Sequence, residues 1–376
     1  MRTRTLDRRT LNRTTLERQL LLQRSAMTPR SAVAHLVGLQ AQIPLDPYLA
    51  LWSRLEDFDP EELGRLLTER EVVRGVVIRG TLHLVTGDDA LLLRPLEQPV
   101  LDKELAAHRD HRAHLAGLDL TPVLEFAAPL LAKRPSTGAE LRAALAERFP
   151  DLDAAALAYA CRNHLALVQV PPRGVWGRTG TIRNTTAQAW LGRPLVEDPS
   201  LDEVVLRYLT AFGPALPADA GTWSRLTGMR EAFDRLLPRL RTFRDEAGRV
   251  LYDLPDAPIA DPDRPAPPRF LPEYDNVLLS HSDRSRFTAD DARRALWPPD
   301  GRIVGLHGTV LHDGFVLGPW RLERDETAGR ATLRVAHLGR LPKGAARDLE
   351  AEGLRMVRFQ AADATEVEVR LERADP

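Results

Sequence analysis

One pattern recurs along the chain and constrains its fold more than any other feature. Helical segments are followed, three times, by a short stretch suited to a pair of strands. The first of these stretches is rich in β-branched residues and broken by Gly75 and Gly80, which favours strands over helix. The three strand-forming stretches lie at residues 72–85, 165–182 and 242–252. The copies share little sequence, so the repeat is one of pattern.

Several helices followed by a hairpin form the outline of a winged helix-turn-helix module. We expect three such modules in tandem, at residues 1–115, 116–197 and 198–268. Helix starts are predicted at Thr14, Thr28, Asp59, Thr137 and Asp153, which are residues that cap helices well.

A different organisation is predicted for the C-terminal part. Residues 255–272 contain seven prolines, a density that prevents regular helix or central strand and indicates a linker or an extended segment. Residues 302–323 alternate around an Asp313-Gly314 turn, and residues 345–359 are typical of a helix. The predicted fold class is therefore α+β, with the three modules followed by a small C-terminal β-barrel at residues 269–376.

Charge excludes some classes of partner. The chain has 52 basic residues (Lys+Arg) and 53 acidic ones, so a uniformly basic nucleic-acid-binding coat is excluded and any anion-binding surface must be local. Residues 1–24 carry seven arginines against two acidic residues, and residues 222–249 carry seven against four. Both stretches suit phosphate contacts, with a solvated helix face as the alternative for each.

Several kinds of site lack support. The single cysteine, Cys161, can form neither an internal disulfide nor a cysteine-based metal site. His108, His111 and His114 share a helix face, but charged residues separate them, which favours a solvated helix over a metal site. The Gly-x-Ser-x-Gly and phosphate-loop motifs are missing. No apolar run is long enough for a signal peptide or a membrane span, so we expect a cytoplasmic protein without metal or cofactor.

The segment around Gln40 and Gln42 has an unusual arrangement of amides. Pro44 biases Ile43 away from helix. In a helix, side chains two residues apart diverge by about 200° and cannot share a target. In an extended chain both amides project to one side.

The wider context of these amides is specific. Gln40-Ala-Gln-Ile-Pro44 is followed by the segments 48–55 and 77–85, and later by Phe270-Leu-Pro-Glu-Tyr-Asp-Asn276 and residues 278–286. Together these segments resemble the bacterial AlkZ-type DNA glycosylases over nearly the whole length of the chain. The catalytic motif of that family is Gln-hydrophobe-Gln, with Asp in the second position in a related branch. The resemblance therefore implies that Gln40 and Gln42 are catalytic.

The resemblance also implies a reaction and a partner. We expect a monofunctional DNA glycosylase that acts on cationic alkylated purines such as N7-alkylguanine in double-stranded DNA, as a monomer. Bulky adducts or interstrand crosslinks are further candidate lesions, in DNA repair or in self-resistance to a genotoxin. A carboxamide does not titrate near neutral pH, but it can bind water and direct a dipole at developing positive charge. We assign the water to Gln42 and the sugar face, or a second contact to the water, to Gln40; the reverse assignment stays open.

Six further residues are predicted to face DNA. Arg79, Thr81 and His83 are two apart on a predicted wing strand and share a face. His281, Arg284 and Arg286 follow the second signature segment and are assigned in the same way. The hairpin at residues 308–320 is a further candidate for probing the duplex, or an ordinary hairpin of its domain.

Two other functions fit the same modules. A non-catalytic winged-helix transcription regulator would need only the basic surfaces. A damage-binding resistance protein would bind lesions without releasing a base. Release of N7-methylguanine from DNA separates both from a glycosylase.

Overall fold

The computed structural model describes residues 4–288 and 308–374. Within these residues the helices are α1 (Arg8–Arg18), α2 (Pro29–His35), α3 (Asp46–Trp52), α4 (Pro60–Thr68), α5 (Gly87–Ala107), α6 (Arg112–Leu115), α7 (Thr121–Lys133), α8 (Gly138–Arg148), α9 (Ala154–His164), α10 (Ala187–Leu191), α11 (Leu201–Phe212), α12 (Pro217–Ser224), α13 (Met229–Leu236), α14 (Asn276–Leu279) and α15 (Ala345–Gln360). The strands are β1 (Leu39–Gln40), β2 (Val72–Ile78), β3 (Thr81–Thr86), β4 (Leu167–Gln169), β5 (Asn184–Thr186), β6 (Arg241–Arg244), β7 (Val250–Asp253), β8 (Arg269–Leu271), β9 (Gly308–His312), β10 (Phe315–Asp325), β11 (Arg330–Leu338) and β12 (Glu366–Ala374). The described residues form both helices and strands in the N-terminal and C-terminal parts of the chain, so the mixed α/β character is confirmed.

Most of the predicted helix starts are confirmed. Thr28, Asp59, Thr137 and Asp153 each accept a hydrogen bond from a backbone N–H in the first turn of the helix that follows. The start at Thr14 is wrong. Asp7 caps α1 instead, and the Thr14 hydroxyl donates to Thr10 O inside that helix.

The strands of the first two predicted modules share one sheet. Its order is β1-β3-β2-β4-β5, and the pairing of β2 with β4 joins the two halves, with Arg74 opposite Gln169. In the second predicted module, the strand that pairs with β4 is β5. The prediction that this partner strand lies within residues 175–182 is therefore wrong. Val175, the first residue of the predicted stretch 175–182, packs in a core cluster instead of pairing in the sheet.

The C-terminal strands form an open five-stranded sheet with the order β12-β11-β10-β9-β8. The β11 and β12 strands are parallel and are connected through α15, which packs on them. Among the described residues β8 and β12 lie at opposite edges of this sheet, so the predicted closed barrel is not found there. Residues 302–307 of the predicted strand at 302–311 lie outside the described residues.

Two buried ion pairs connect distant parts of the chain. Arg18 on α1 binds both oxygens of Asp253 on β7, at 2.7 and 2.9 Å. Arg54, after α3, binds both oxygens of Asp275 at 2.9 and 2.8 Å. These bidentate pairs hold the N-terminal helices against the third hairpin and against the segment that begins the C-terminal part.

No helix in the described part of the chain is long and apolar enough to cross a membrane.

Candidate active site

The two glutamines lie on an extended segment at the edge of the first sheet. The helix α2 ends at His35, and Val37 and Gly38, whose φ angles are +55° and +92°, then turn the chain into β1. Gln40 pairs with His83 on β3, and the Ala41 N–H donates to Leu82 O at 2.8 Å. The backbone at this motif is therefore extended and held in the sheet.

The Gln40 side chain is buried and held by an arginine. It is 9% exposed, and its Oε1 accepts a hydrogen bond of 2.7 Å from Arg79 Nη2. The same guanidinium donates to Asn276 Oδ1 at 2.9 Å and to Trp223 O at 2.7 Å. Asn276 in turn donates to Gly38 O at 3.2 Å. The carbonyl oxygen of Gln40 is thus already engaged, and its amide plane is fixed.

Arg79 lies at the tip of the first hairpin but points inward. Arg79 and Gly80 have φ angles of +57° and +69°, as a type I′ turn requires. The turn is covered by the end of α12, where Arg79 N donates to Ser224 O at 3.3 Å. Burial, with Arg225 nearby, lowers the pKa of Arg79 to about 10, so the side chain stays charged at neutral pH.

The other two residues of the predicted DNA-facing strand also lie against the protein. His83 is fully buried, and burial together with the charge of Arg79 lowers its pKa to about 3, so the ring is neutral. The Thr81 hydroxyl donates to Ile78 O at 3.0 Å, and the residue is half-buried.

The second predicted group is placed in a similar way. His281 and Arg286 are buried, and Arg286 donates to His281 Nε2 at 2.7 Å and to Pro214 O at 3.0 Å. Arg284 is half-buried in a short 3-10 turn.

The side chains of Arg79, His83, His281 and Arg286 bond within the protein, which disfavours surface contacts to DNA. Some of their hydrogen-bond partners, such as Asn276 for Arg79 and Pro214 for Arg286, lie far away along the chain, so the sequence spacing does not indicate them. The six DNA contacts stay predictions.

Gln42, in contrast, is exposed and lies at the rim of a cavity of about 410 Å³. The cavity is lined by residues of the first sheet and of helices α5 and α7 to α9, and it is partly open to solvent. Its polar lining residues are Gln42, Arg74, Arg94, Ser136, Thr137, Arg162, Gln169, Arg173 and Asn184. No aspartate or glutamate is among its described lining residues.

Arg74 lines this cavity and also contacts the glutamine motif. Its side chain is 1% exposed, and Nη2 donates to Ala41 O, between the two glutamines, at 2.8 Å. Burial, with Arg173 nearby, lowers the pKa of Arg74 to about 10. Two arginines therefore hold the motif, one at the side chain of Gln40 and one at the backbone before Gln42.

Sequence reasoning missed the positions that support the two glutamines. Asn276 is the last residue of the segment 270–276, but nothing in the sequence of this segment indicates a contact with Arg79. Arg74 and Gln169 are opposite each other in register only because β2 and β4 pair, and this pairing has no local signal.

The candidate hairpin at residues 308–320 is tied down at its turn. Asp313 binds Arg9 at 2.8 Å and also binds Arg13, both on α1. The turn therefore packs on the protein, which fits an ordinary hairpin better than a probe of DNA.

Comparisons with known proteins agree with the resemblance in the sequence. A family model described as DNA glycosylase AlkZ-like matches residues 33–359. Among solved structures, the fold is similar to that of Streptomyces sahachiroi DNA glycosylase AlkZ, with a TM-score of 0.79 and 23% sequence identity over 98% of this chain and 100% of that chain. A search of curated proteins gives no match. The family model spans most of the chain, including the glutamine motif, and the chain belongs to the AlkZ-like DNA glycosylase family.

Proposed function

We propose that the protein is a monofunctional DNA glycosylase that hydrolyses the N-glycosidic bond of cationic alkylated purines, such as N7-alkylguanine, in double-stranded DNA. Membership of the AlkZ-like family supports the reaction class. The observation that carries the proposal is the exposed amide of Gln42, which lies on a fixed backbone at the rim of an arginine-lined cavity.

The chemistry fits groups that do not titrate. Alkylation at N7 makes guanine cationic, so the C1′–N9 bond is weakened before the enzyme acts. As this bond breaks, its electron pair neutralises the departing base and the sugar becomes an oxocarbenium ion. Water then adds to C1′, and its proton is released to solvent. The protein needs to hold the water and to stabilise a positively charged sugar, and neither task requires a general acid.

The environments of the two amides favour different roles. The Gln42 amide is open to solvent, so it is our choice for positioning the attacking water. The Oε1 of Gln40 is engaged by Arg79, so Gln40 is our choice for a fixed contact to the sugar or to the same water. His83 is neutral and buried beside this pair, which argues against its acting as an acid or base.

The solvent exposure of Gln42 affects which lesions the site can accept. Gln42 is exposed and is followed by the exposed side chains of Ile43 and Leu45. An open site can accept a base that carries a bulky group. We therefore include bulky adducts and interstrand crosslinks among the proposed substrates, in repair or in self-resistance to a genotoxin.

The test is release of 7-methylguanine from a duplex under single-turnover conditions. The intact protein is expected to release the base and leave an abasic site. Gln42→Ala and Gln40→Ala should each slow release by about tenfold or more, the usual loss when one polar group that stabilises a transition state is removed. Gln188→Ala, which removes another exposed glutamine, is the matched control and should keep the wild-type rate.

The alternatives give different results. A transcription regulator would release no base and would bind one DNA sequence tightly. A damage-binding protein would prefer lesion DNA and also release nothing. Full rates for both glutamine variants would reject our residue assignment while the reaction class stands.

A further inference from the structure

We propose that the cavity beside Gln42 binds a backbone phosphate of the lesion-containing DNA strand, with Arg74, Arg162 and Arg173 as its cationic contacts. This inference rests on the proposed function, because it takes DNA as the ligand. It adds a specific anion site to a protein whose overall charge is close to zero.

The first observation is a buried arginine without a counterion. Arg74 Nε and Nη1 are buried and have no hydrogen-bond partner among the described residues. Its one hydrogen bond goes to a neutral backbone carbonyl, Ala41 O. A buried charge is costly unless it is paired, so this guanidinium is suited to a ligand that brings negative charge.

Two buried arginines of this chain are neutralised by carboxylates. Arg18 pairs with Asp253, and Arg54 pairs with Asp275, in both cases through two hydrogen bonds. Arg74, in contrast, has no carboxylate partner among the described residues, and the charged neighbour that most affects it is a second cation, Arg173.

The second observation is the charge of the cavity wall. Arg162 is exposed and Arg173 half-buried, and neither forms an ion pair within the described residues. Arg94 is already satisfied by Gln98 Oε1 at 2.9 Å and Asn163 O at 2.6 Å, so we do not count it as a contact. Glu140 on α8, whose N-terminus lines the cavity, is bound by Arg183 and by Thr137 N. As far as the described residues go, the wall is therefore positive, with no free carboxylate to oppose it.

The sign of this charge selects the ligand. A cationic N7-alkylguanine would be repelled by three arginines that have no carboxylate partner among the described residues, whereas a phosphodiester would be attracted. The guanidinium fork matches phosphate oxygens, and the nearby Gln169 amide, whose Oε1 is also unpaired, can rotate to present its NH2 group.

The position of the site gives it a role in the reaction. Gln42 lies on the rim of the same cavity, so a phosphate held inside would fix the lesion strand next to the amide. A phosphate close to C1′ would also oppose the positive charge that develops on the sugar. Binding and orientation of the nucleotide are thus combined in one place.

The experiment uses duplexes with one uncleavable 2′-fluoro-7-methylguanine nucleotide. Neutral methylphosphonates replace single phosphates on either side of the lesion, and Kd is measured by fluorescence anisotropy. For the wild type, one position should weaken binding by about tenfold, as expected for loss of a charge-assisted hydrogen bond. For Arg162→Gln, the same methylphosphonate should change Kd by less than it does in the wild type, because one of the three cationic contacts to this phosphate has already been removed.

Two further variants complete the design. If Arg74→Gln folds, the methylphosphonate should affect its Kd less than it affects that of the wild type. If Arg74→Gln does not fold, Arg162→Gln still tests the proposal, because Arg162 is exposed. Arg347→Gln removes an exposed arginine on α15, outside the cavity lining, and should respond to methylphosphonates as the wild type does.

The outcomes separate this inference from the proposed function. Equal methylphosphonate effects in the wild type and in the cavity variants would overturn the phosphate site, even if the wild type releases base from ordinary lesion DNA. A methylphosphonate effect that is smaller in the cavity variants than in the wild type, without any base release from ordinary lesion DNA, would support the phosphate site and reject the glycosylase function.

Discussion

At the scale of single residues, two buried arginines determine the geometry of the candidate site. Arg79 holds the side chain of Gln40, and Arg74 holds the carbonyl of Ala41. The glutamine motif itself was recognisable in the sequence because it is contiguous. Its supports were not, because Trp223 and Asn276 meet Arg79 only in the folded chain.

The inward direction of Arg79 leads to a prediction that separates positioning from DNA binding. Arg79→Gln should slow base release by about tenfold or more because the amide of Gln40 loses its anchor. The Kd for lesion DNA should stay within about twofold of the wild-type value, since the side chain is buried. The two quantities are measured on the same duplex, after a thermal melt shows that the variant is folded. A loss of affinity as large as the loss of rate would place Arg79 at the DNA surface after all.

Asp46, four residues after Gln42, leads to a pH prediction. Burial, with the charges of Glu273 and Asp275 nearby, raises the pKa of this carboxyl to about 8. In the unfolded chain it ionises near its ordinary value of 3.8, so between these values the folded state binds the extra proton. Stability is therefore present at acidic pH and lost as the pH rises toward about 8.

Asp46→Asn should remove that part of the pH dependence. The free energy of unfolding, measured by urea at pH 5 and pH 9, should fall less in the variant than in the wild type. Equal decreases in the two proteins would show that Asp46 ionises normally in the folded state.

At the scale of elements, the helix starts were predictable because capping is local. Thr28 and Asp59 satisfy backbone groups within three residues, so sequence alone indicates them. The pairing of β2 with β4 was not predictable, because it joins residues more than 90 positions apart and depends on how two predicted modules pack.

The junction between α2 and β1 is the element boundary on which the motif depends. Gly38 has a φ of +92°, and a Cβ there would lie 2.6 Å from Val85 Cγ1 and 3.1 Å from Leu84 O. Gly38→Ala should therefore cost about 1–2 kcal/mol for the backbone conformation and about 1–3 kcal/mol more for the clash. It should also slow base release, because the strand that carries Gln40 is displaced.

Gly117→Ala is the matched control for this substitution. Gly117 also has a positive φ, +73°, but a Cβ there meets nothing within 4 Å. In the control, the free energy of unfolding, measured by chemical denaturation, should fall only by the cost of the backbone conformation. The rate of base release should stay at the wild-type value. Similar effects for both variants would mean that close packing at Gly38 has no part in holding the motif.

At the scale of the whole molecule, the order of elements was predictable and their assembly was not. The C-terminal hairpin and helix were indicated by sequence, but the predicted barrel is an open sheet in the described residues because β12 joins β11 in parallel after α15. A parallel pair of this kind depends on a crossover connection and has no signal in residue alternation.

The buried ion pair between Arg18 and Asp253 is expected to stabilise the whole assembly. Asp253 is fully buried and also binds Arg241 at 3.1 Å, so Asp253→Asn leaves the buried Arg18 and the half-buried Arg241 without this counterion. The expected loss is about 3–5 kcal/mol in the free energy of unfolding. Asp363→Asn removes an exposed partner of Arg324 and should cost less than about 1 kcal/mol. Denaturant titration of both variants checks the difference, and equal losses would contradict a structural role for the buried pair.

The central claim is that neutral amides are sufficient because the lesion supplies its own positive charge. The most direct measurement compares single-turnover release of cationic 7-methylguanine with release of its neutral isostere, 7-methyl-7-deazaguanine, from otherwise identical duplexes. We expect release of the cationic base alone, with a rate that falls in the Gln42→Ala variant. Release of the neutral base at a similar rate would mean that the protein activates the leaving group itself, and would contradict the account.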